Sequence, residues 1–367
     1  MKILDRYISG SLLAGCIPVA LLLLSLFSLL ALSEELEDVG DGAYELSDAL
    51  LVVAMGVPTL LVDLLPVTVL LGGLLGLGAL ANNLELTSLR AAAVSPLRLA
   101  VPIAACAIAF IALALFLQSQ VIPQVAFYSS QLRSKTLMAP PSLQESEEQI
   151  AQRDSEFWTR STGQFVRIGQ VLPDRQLAEI EIYTLNNEGE LSLMLQSERA
   201  ELLQDNTWQL QQVRQTRLAV TDSSAQTSDS MIWEKLLSEE QTHALITPAS
   251  ALAPTDLWRL IQRLEQNSMS SRRHRVIFWK QMGVPLGLLG MALLTLPFLL
   301  GSARSIPVGQ RMTLGGVIGI GYYLLQQISG HIAGIFQLHI ATTVLAPGIV
   351  VLCLALCLLW RVDRGQG

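Results

Sequence analysis

Long uncharged stretches dominate the hydrophobic pattern of this chain. Residues 11–33, 99–127, 281–303 and 312–360 contain no Asp, Glu, Lys or Arg. A helix needs about 20 apolar residues to cross a bilayer, and the last run is far too long for one crossing. A further apolar stretch, interrupted only by Asp63, lies within 49–81. The pattern predicts six membrane-spanning helices, at about 11–33, 49–81, 99–122, 277–300, 307–329 and 340–360.

The middle of the chain has a different pattern. Between residues 123 and 275, apolar and polar residues alternate over short runs, as at 179–183 and 190–195. Alternation with a period of two is typical of half-buried strands, and the turn-forming residues 186–189 separate two of these runs. This predicts an all-β sandwich or jellyroll. An amphipathic helix follows at about 254–267, with Leu257, Leu260, Ile261 and Leu264 on one face.

Together the two patterns predict a membrane α-helical fold, with three plus three transmembrane helices around an inserted, all-β, jellyroll-like domain. The predicted boundaries are 1–122 for the first three spans, 123–275 for the β domain and its amphipathic helix, and 276–367 for the last three spans. With six spans, the short loops 34–48 and 330–340 share one side and contain no Lys or Arg. Because Lys and Arg accumulate in cytoplasmic loops, both termini are predicted to be cytoplasmic and the β domain external.

Composition narrows the functional class. Of the 367 residues, 51% are hydrophobic and 15% are charged, whereas an ordinary soluble protein has roughly 25% charged residues. This argues against a cytosolic globular enzyme. The formal net charge of −7 also argues against a nucleic-acid partner, since phosphate backbones are bound by basic surfaces.

Candidate catalytic chemistry is sparse. A P-loop places a lysine directly after a glycine, but the four lysines of this chain follow Met, Ser, Glu and Trp. Asp63 lies in an apolar stretch without a second intramembrane Asp to form a catalytic pair, so a pore-facing or interface-satisfied polar group is the simpler interpretation. We therefore predict a non-catalytic membrane protein without a metal or cofactor, whose ATP dependence would come from another chain.

The polar connection between the second and third predicted spans, residues 82–95, has helical character. Polar residues at 82 and 83 can cap a helix, an acid follows in its first turn, and Ser95-Pro96 terminates it. A short amphipathic helix on the cytoplasmic side is what a membrane subunit offers to a soluble ATPase. A tight turn resting on the lipid surface fits the pattern equally well. The predicted ATPase contacts are Glu85, Leu86, Leu89 and Arg90.

Three motifs resemble the LptF/LptG family of lipopolysaccharide export permeases: LDRYI at 4–8, ELTSLRA at 85–91 and RSIPVGQR at 304–311. The first and last look most like the LptG branch, and the similarity covers essentially the whole chain. It implies a half-transporter of the bacterial inner membrane with a periplasmic β domain. The implied partners are an LptF-like second permease, an LptB-like ATPase dimer and an LptC-like membrane-anchored jellyroll protein. Such a complex extracts lipopolysaccharide and passes it to a periplasmic bridge.

The resemblance also predicts ligand contacts. Lipid A is bis-phosphorylated, so basic side chains at the outer membrane boundary should bind it. Unlike many family members, the first helix here ends in acids at 34–38. The candidate phosphate contacts are therefore Arg133, Lys135, Arg272 and Arg273, although lipid-headgroup contact explains the basic cluster 272–280 equally well. The alternating strands predict an acyl-chain groove lined by Phe165, Ile180, Ile182, Leu193 and Leu195.

A second functional class stays open at this point. An ABC permease of the MacB or FtsX type transmits ATPase motion to the periplasm without carrying a lipid through its own cavity. Such proteins have four transmembrane helices and a differently placed periplasmic domain, so six predicted spans weigh against this alternative.

Overall fold

The computed structural model describes residues 2–40, 44–92, 94–136, 157–161, 164–172, 176–185, 191–202, 207–218, 223–234, 249–266, 271–300, 308–335 and 339–364. The helices are α1 (Lys2–Glu35), α2 (Leu46–Asn82), α3 (Glu85–Ala91), α4 (Pro96–Phe116), α5 (Ile122–Thr136), α6 (Pro254–Gln266), α7 (Arg272–Leu300), α8 (Val308–Ile335) and α9 (Ile340–Arg364). A π-helical turn, Leu117–Val121, joins α4 to α5, and a 3₁₀ turn, Ala249–Ala251, precedes α6.

Five helical stretches within this part of the chain are long and apolar enough to cross a membrane. They are Ile3–Glu35, Leu46–Asn82, Pro96–Leu132, Arg272–Leu300 and Ile340–Val362. The remaining predicted span, 307–329, coincides with α8, a helix of 28 residues that is more polar because it contains two adjacent tyrosines and two adjacent glutamines. The membrane helical fold with an inserted β domain is thereby confirmed.

Helices α2 and α7 form the centre of the membrane domain, because most residues of their most apolar stretches are buried. Leu70 and Leu74 of α2 and Leu288 and Met291 of α7 belong to one core, and each is at most 1% exposed. Helices α1 and α9 lie at the periphery, where most of their apolar surface is exposed. That exposed apolar surface suits contact with lipid or with another membrane subunit.

Glycine lets α1 and α2 cross in direct backbone contact. A Cβ atom on Gly72 would lie 2.5 Å from Cα of Cys16, and one on Gly15 would meet the carbonyl oxygen of Gly72. The Ser11 hydroxyl donates a hydrogen bond of 2.9 Å to the carbonyl oxygen of Gly76. Small residues at a helix crossing allow this close approach in membranes. The N-terminal half of α1 is therefore held firmly against α2.

The third span is longer than the sequence predicts. Its start is fixed by Ser95, whose hydroxyl accepts a hydrogen bond of 3.2 Å from the backbone N–H of Arg98, and by Pro96 in the first turn. The helix then continues through the π-turn and α5 to Thr136, past residue 122. The region preceding the strands thus begins as a continuation of this helix.

The six described strands form one antiparallel sheet. They are β1 (Phe157–Ser161), β2 (Gln164–Leu172), β3 (Gln176–Leu185), β4 (Leu191–Leu202), β5 (Thr207–Leu218) and β6 (Ser223–Glu234). Their spatial order is the order of the chain, β1 to β6. This is an up-and-down meander, whereas a jellyroll is built from Greek keys.

A line of irregular pairing crosses the sheet from β2 to β6. On each of these strands, one residue at the same level is not paired with the neighbouring strand. These residues are Gly169, Glu179, Glu198, Gln212 and Asp229. Glu179 and Gln212 have positive φ angles of 53° and 52°. Gly169 leaves room for the first of these, since a Cβ atom there would lie 2.7 Å from Cβ of Glu179.

Because of this irregularity, buried side chains from both halves of the sheet point into one core. Fully buried residues on its two sides are an odd number of positions apart: Leu177 and Ile180 on β3, Leu195 and Ala200 on β4, and Leu210 and Val213 on β5. In a regular strand such residues would point to opposite faces. Here they belong to a single cluster that also contains Trp208, because the kink reverses the alternation.

Candidate functional site

The predicted coupling segment contains the short helix α3. This helix begins at Glu85, later than the sequence predicts, because α2 continues through Asn82 and Leu84 has a positive φ of 60°. Glu85 accepts a hydrogen bond of 2.7 Å from the hydroxyl of Tyr7 on α1. Leu84 is 67% exposed. Neither Tyr7 nor Leu84 was predicted as a site residue, since sequence spacing does not relate Tyr7 to this segment.

The apolar side of α3 faces the membrane domain. Leu86 is 4% exposed, and Leu89 packs against the same core. These two predicted ATPase contacts therefore point into their own chain, because a helix of this length uses its apolar face to attach to the helices beside it. Glu85 is partly exposed. The side chain of Arg90 lies outside the described residues.

A second polar contact ties α1 to the start of the third span. The guanidinium of Arg98 donates a hydrogen bond of 2.9 Å to the carboxylate of Asp5, and both side chains are about one-third exposed. An ion pair of this exposure contributes about 0–1 kcal/mol, so its main effect is to orient the chain. The first turns of α1 thus contact both α3 and α4.

The predicted phosphate contacts are distributed over different environments. Arg133 and Lys135 lie in α5, and their side chains are outside the described residues. Arg272 donates a hydrogen bond of 3.0 Å to the carbonyl oxygen of Ala333 near the end of α8, and Arg273 is exposed. Lys280 donates to Gln327 of α8 over 2.8 Å. The basic stretch 272–280 is therefore not one surface.

The strand register divides the predicted acyl-chain groove. Ile180, Ile182 and Leu195 are fully buried in the β core, and Leu193 is half-buried. Phe165 is paired with Tyr183, whereas its neighbour Val166 is paired with Ile182 and is buried. Phe165 therefore lies on the opposite face, and its place among the groove residues was predicted wrongly. The pairing gives Val166 that position.

The face that carries Phe165 also carries an acid–base cluster. Arg167 contacts Glu181 over 3.3 Å, and Tyr183 donates a hydrogen bond of 2.6 Å to the same carboxylate. Burial opposes ionisation, but the hydrogen bonds from Tyr183 and Arg167 outweigh it and hold the pKa of Glu181 below its usual value. The same hydrogen bond raises the pKa of Tyr183. This face is therefore polar and ordered.

Two helical segments around an antiparallel sheet, with a short helix between α2 and α4, define a multi-pass membrane protein of the permease class. The chain belongs to the LptF/LptG family, because the model described as "Lipopolysaccharide export system permease LptF/LptG" matches residues 6–361. It is similar to the lipopolysaccharide export system permease protein LptG of Haemophilus influenzae, with 25% identity over 359 residues and 98% of each chain covered. The LptG protein of Escherichia coli K12 has 25% identity over 364 residues, again with 98% of each chain covered.

Proposed function

We propose that the chain is the LptG-type permease subunit of an ABC transporter that extracts lipopolysaccharide from the inner membrane and passes it to a periplasmic bridge. The observation that carries this proposal is the family match over residues 6–361, together with relatives matched over 98% of both lengths. The subunit has no catalytic role of its own. ATP hydrolysis is supplied by an LptB-like dimer, with an LptF-like permease and an LptC-like protein as further partners.

The proposed orientation has cytoplasmic termini and a periplasmic β domain. It is supported by Arg361 and Arg364 in the last turn of α9 and by the acids without Lys or Arg at 34–48. With that orientation, α3 lies on the cytoplasmic side, where the ATPase binds.

The proposed coupling contact centres on Glu85. This residue is partly exposed and lies in the first turn of α3, where a negative charge suits a basic groove on the ATPase. Its bond to Tyr7 links the coupling helix to α1. Leu86 and Leu89 contribute by attaching α3 to the membrane domain, so that motion at α3 reaches the spans.

The proposed lipid contacts lie outside the membrane core. We propose that acyl chains bind to the apolar face formed by Ile180, Ile182, Leu193 and Leu195. Three of these four residues are fully buried, so the β core must open before acyl chains can reach them. For the phosphates we propose Arg133, Lys135 and Arg273, with Arg272 contributing only if it exchanges its bond to α8. Lipid headgroups are the alternative ligands for Arg272 and Arg273.

The MacB/FtsX-type alternative is not favoured, because the family match runs through both helical segments and the sheet between them. The decisive experiment uses proteoliposomes that contain this chain, its second permease and its ATPase. We expect ATP-dependent release of lipopolysaccharide to a soluble acceptor domain, and no release with a Walker-lysine variant of the ATPase. An assembled complex that hydrolyses ATP but releases no lipopolysaccharide would contradict the proposal and favour mechanical transmission.

A further inference from the structure

A polar cavity of about 190 Å³ lies within the membrane domain. It is lined by α2, the π-turn, the start of α5, α7 and α8, and the 3₁₀ turn contributes Ser250. Its lining is unusual for a membrane interior because four glutamines, two tyrosines and both signs of charge meet there. The polar lining residues are Thr59, Asp63, Gln118, Ser250, Lys280, Gln281, Tyr322, Tyr323, Gln326 and Gln327.

Three buried amide atoms of this lining have no hydrogen-bond partner among the described residues. They are Oε1 of Gln118, Oε1 of Gln281 and Nε2 of Gln326. Gln118 is only 5% exposed, and Gln281 already uses its Nε2 to donate to the carbonyl oxygens of Ser250 and Leu252. A buried polar atom without a partner costs about 1–3 kcal/mol. All three side chains line the cavity, so rotation of their amide groups would bring two acceptors and one donor to a ligand held there.

The π-turn explains why Gln118 faces this cavity. Insertion of a wider turn into a helix shifts the side chains that follow, and such turns occur frequently at functional sites. Here the turn Leu117–Val121 begins one residue before Gln118. Ile122, at the start of α5, lines the same cavity.

Two ionisable side chains of opposite type also line the cavity without touching each other. Asp63 is on α2 and Lys280 is on α7. Lys280 donates to Gln327 over 2.8 Å, and Gln327 in turn donates to the hydroxyl of Tyr323 over 3.2 Å. The ion pairs among the described residues do not include Asp63 with Lys280. Charges inside a membrane are costly unless they are paired or hydrated, so water between these two side chains would reduce that cost.

The presence of both an acidic and a basic side chain limits which class of ligand the cavity can hold. Lys280 repels a metal cation, Asp63 repels a phosphate, and the orphaned atoms require both donors and acceptors. The volume holds several water molecules, since each occupies roughly 30 Å³ in the liquid. We propose that this cavity is a hydration site within the membrane domain, in which bound water bridges Asp63 and Lys280 and satisfies the amides of Gln118, Gln281 and Gln326.

This site goes beyond the proposed export function, and its first test does not require lipopolysaccharide. In a full-length background with the four native cysteines replaced, Val62→Cys reports on the cavity, which Val62 lines while being only 2% exposed, and Ile108→Cys reports on the exposed surface of α4. The chain is treated in membrane vesicles with 2-aminoethyl methanethiosulfonate, which reacts with thiolates and therefore needs water. We expect Val62→Cys to react about tenfold faster than Ile108→Cys. Equal slow rates would overturn the proposal.

Two further variants test what holds the water. Gln118→Leu combined with Gln326→Leu removes polar partners, and apolar cavities stay dry, so labelling of Val62→Cys should fall about fivefold. Unchanged labelling would contradict the role of these amides.

The charge pair is tested by recovery of folded chain. Asp63→Asn leaves the Lys280 charge unbalanced, whereas Asp63→Asn with Lys280→Met removes both charges, so we expect the double variant to be recovered about threefold better than Asp63→Asn alone. Recovery of the double variant no better than that of Asp63→Asn would overturn the bridge between the two charges.

Discussion

Gly72 gives the most direct test of the packing between α1 and α2. Gly72→Ala would place a Cβ atom 2.5 Å from Cα and 2.6 Å from Sγ of Cys16, whereas carbon atoms pack best at about 3.5–4.0 Å. The sulfur can rotate away but the backbone cannot, so the helices must separate by roughly 1 Å. Overpacking costs about 1–3 kcal/mol, and Ala in place of a helical Gly returns about 0.5–1 kcal/mol. We expect a net loss of about 1–2 kcal/mol.

Gly56→Ala is the matched control, because it lies in the same helix and an added Cβ atom has nothing within 4 Å. The measurement is thermal unfolding of both purified variants in one detergent, beside the natural protein. Gly72→Ala should unfold at a lower temperature than the natural protein, and Gly56→Ala at the same or a higher temperature. Equal midpoints for the two variants would refute direct backbone contact at this crossing.

Four further predictions concern the proposed function and the β domain. Glu85→Lys should reduce co-purification of the ATPase while the chain remains folded, because an acid facing the partner becomes a base; undiminished recovery would remove Glu85 from the interface. A photocrosslinker at Ile182 should capture lipopolysaccharide during ATP turnover and one at Phe165 should not; capture at Phe165 alone would reverse the assignment of faces. Arg133→Ala should weaken lipopolysaccharide binding to the assembled transporter at least about tenfold, since a charge-assisted hydrogen bond contributes about 1.5–3 kcal/mol, with Arg133→Lys milder; unchanged affinity at low salt would exclude this contact. Because the pKa of Glu181 is lowered by folding, its contribution to stability is present above the usual carboxyl pKa and is lost as the pH falls through the lowered value. Glu181→Gln should therefore destabilise the β domain at neutral pH and match the natural protein in strong acid, as followed by limited proteolysis; a difference that grows toward acid pH would contradict the sign.

The hydrophobic pattern predicts the membrane helices well, because a bilayer imposes a minimum apolar length on each of them. It locates α8 correctly but does not reveal the hydrogen bonds between α8 and α7, because these join residues that are distant in sequence. Gln327 meets Lys280 across 47 positions of sequence. The basic stretch 272–280 looks uniform for the same reason, since partners on other helices decide where each base points.

Strand faces were harder to assign than strand positions. Phe165 and Val166 are adjacent and both apolar, so only their pairing with Tyr183 and Ile182 decides which one enters the core. The kink at Glu179 is also invisible to an alternation rule, because it reverses the phase within a strand. Helix α3 is shorter than predicted because Leu84 adopts a left-handed conformation that its residue type does not suggest.

The close crossing at Gly15 makes α1 a lever with unequal arms. The helix is continuous from Lys2 to Glu35, and at 1.5 Å per residue the arm from Gly15 to Tyr7 is about 12 Å long and the arm to Glu35 about 30 Å. Tyr7, on the short arm, is bonded to Glu85 of α3, while the long arm carries exposed leucines and ends at Glu35, which accepts a hydrogen bond from Tyr44. If α1 turned about Gly15 as a rigid rod, a shift of about 1 Å at Tyr7 would become about 2.5 Å at the far end, in the opposite direction, and would strain that bond.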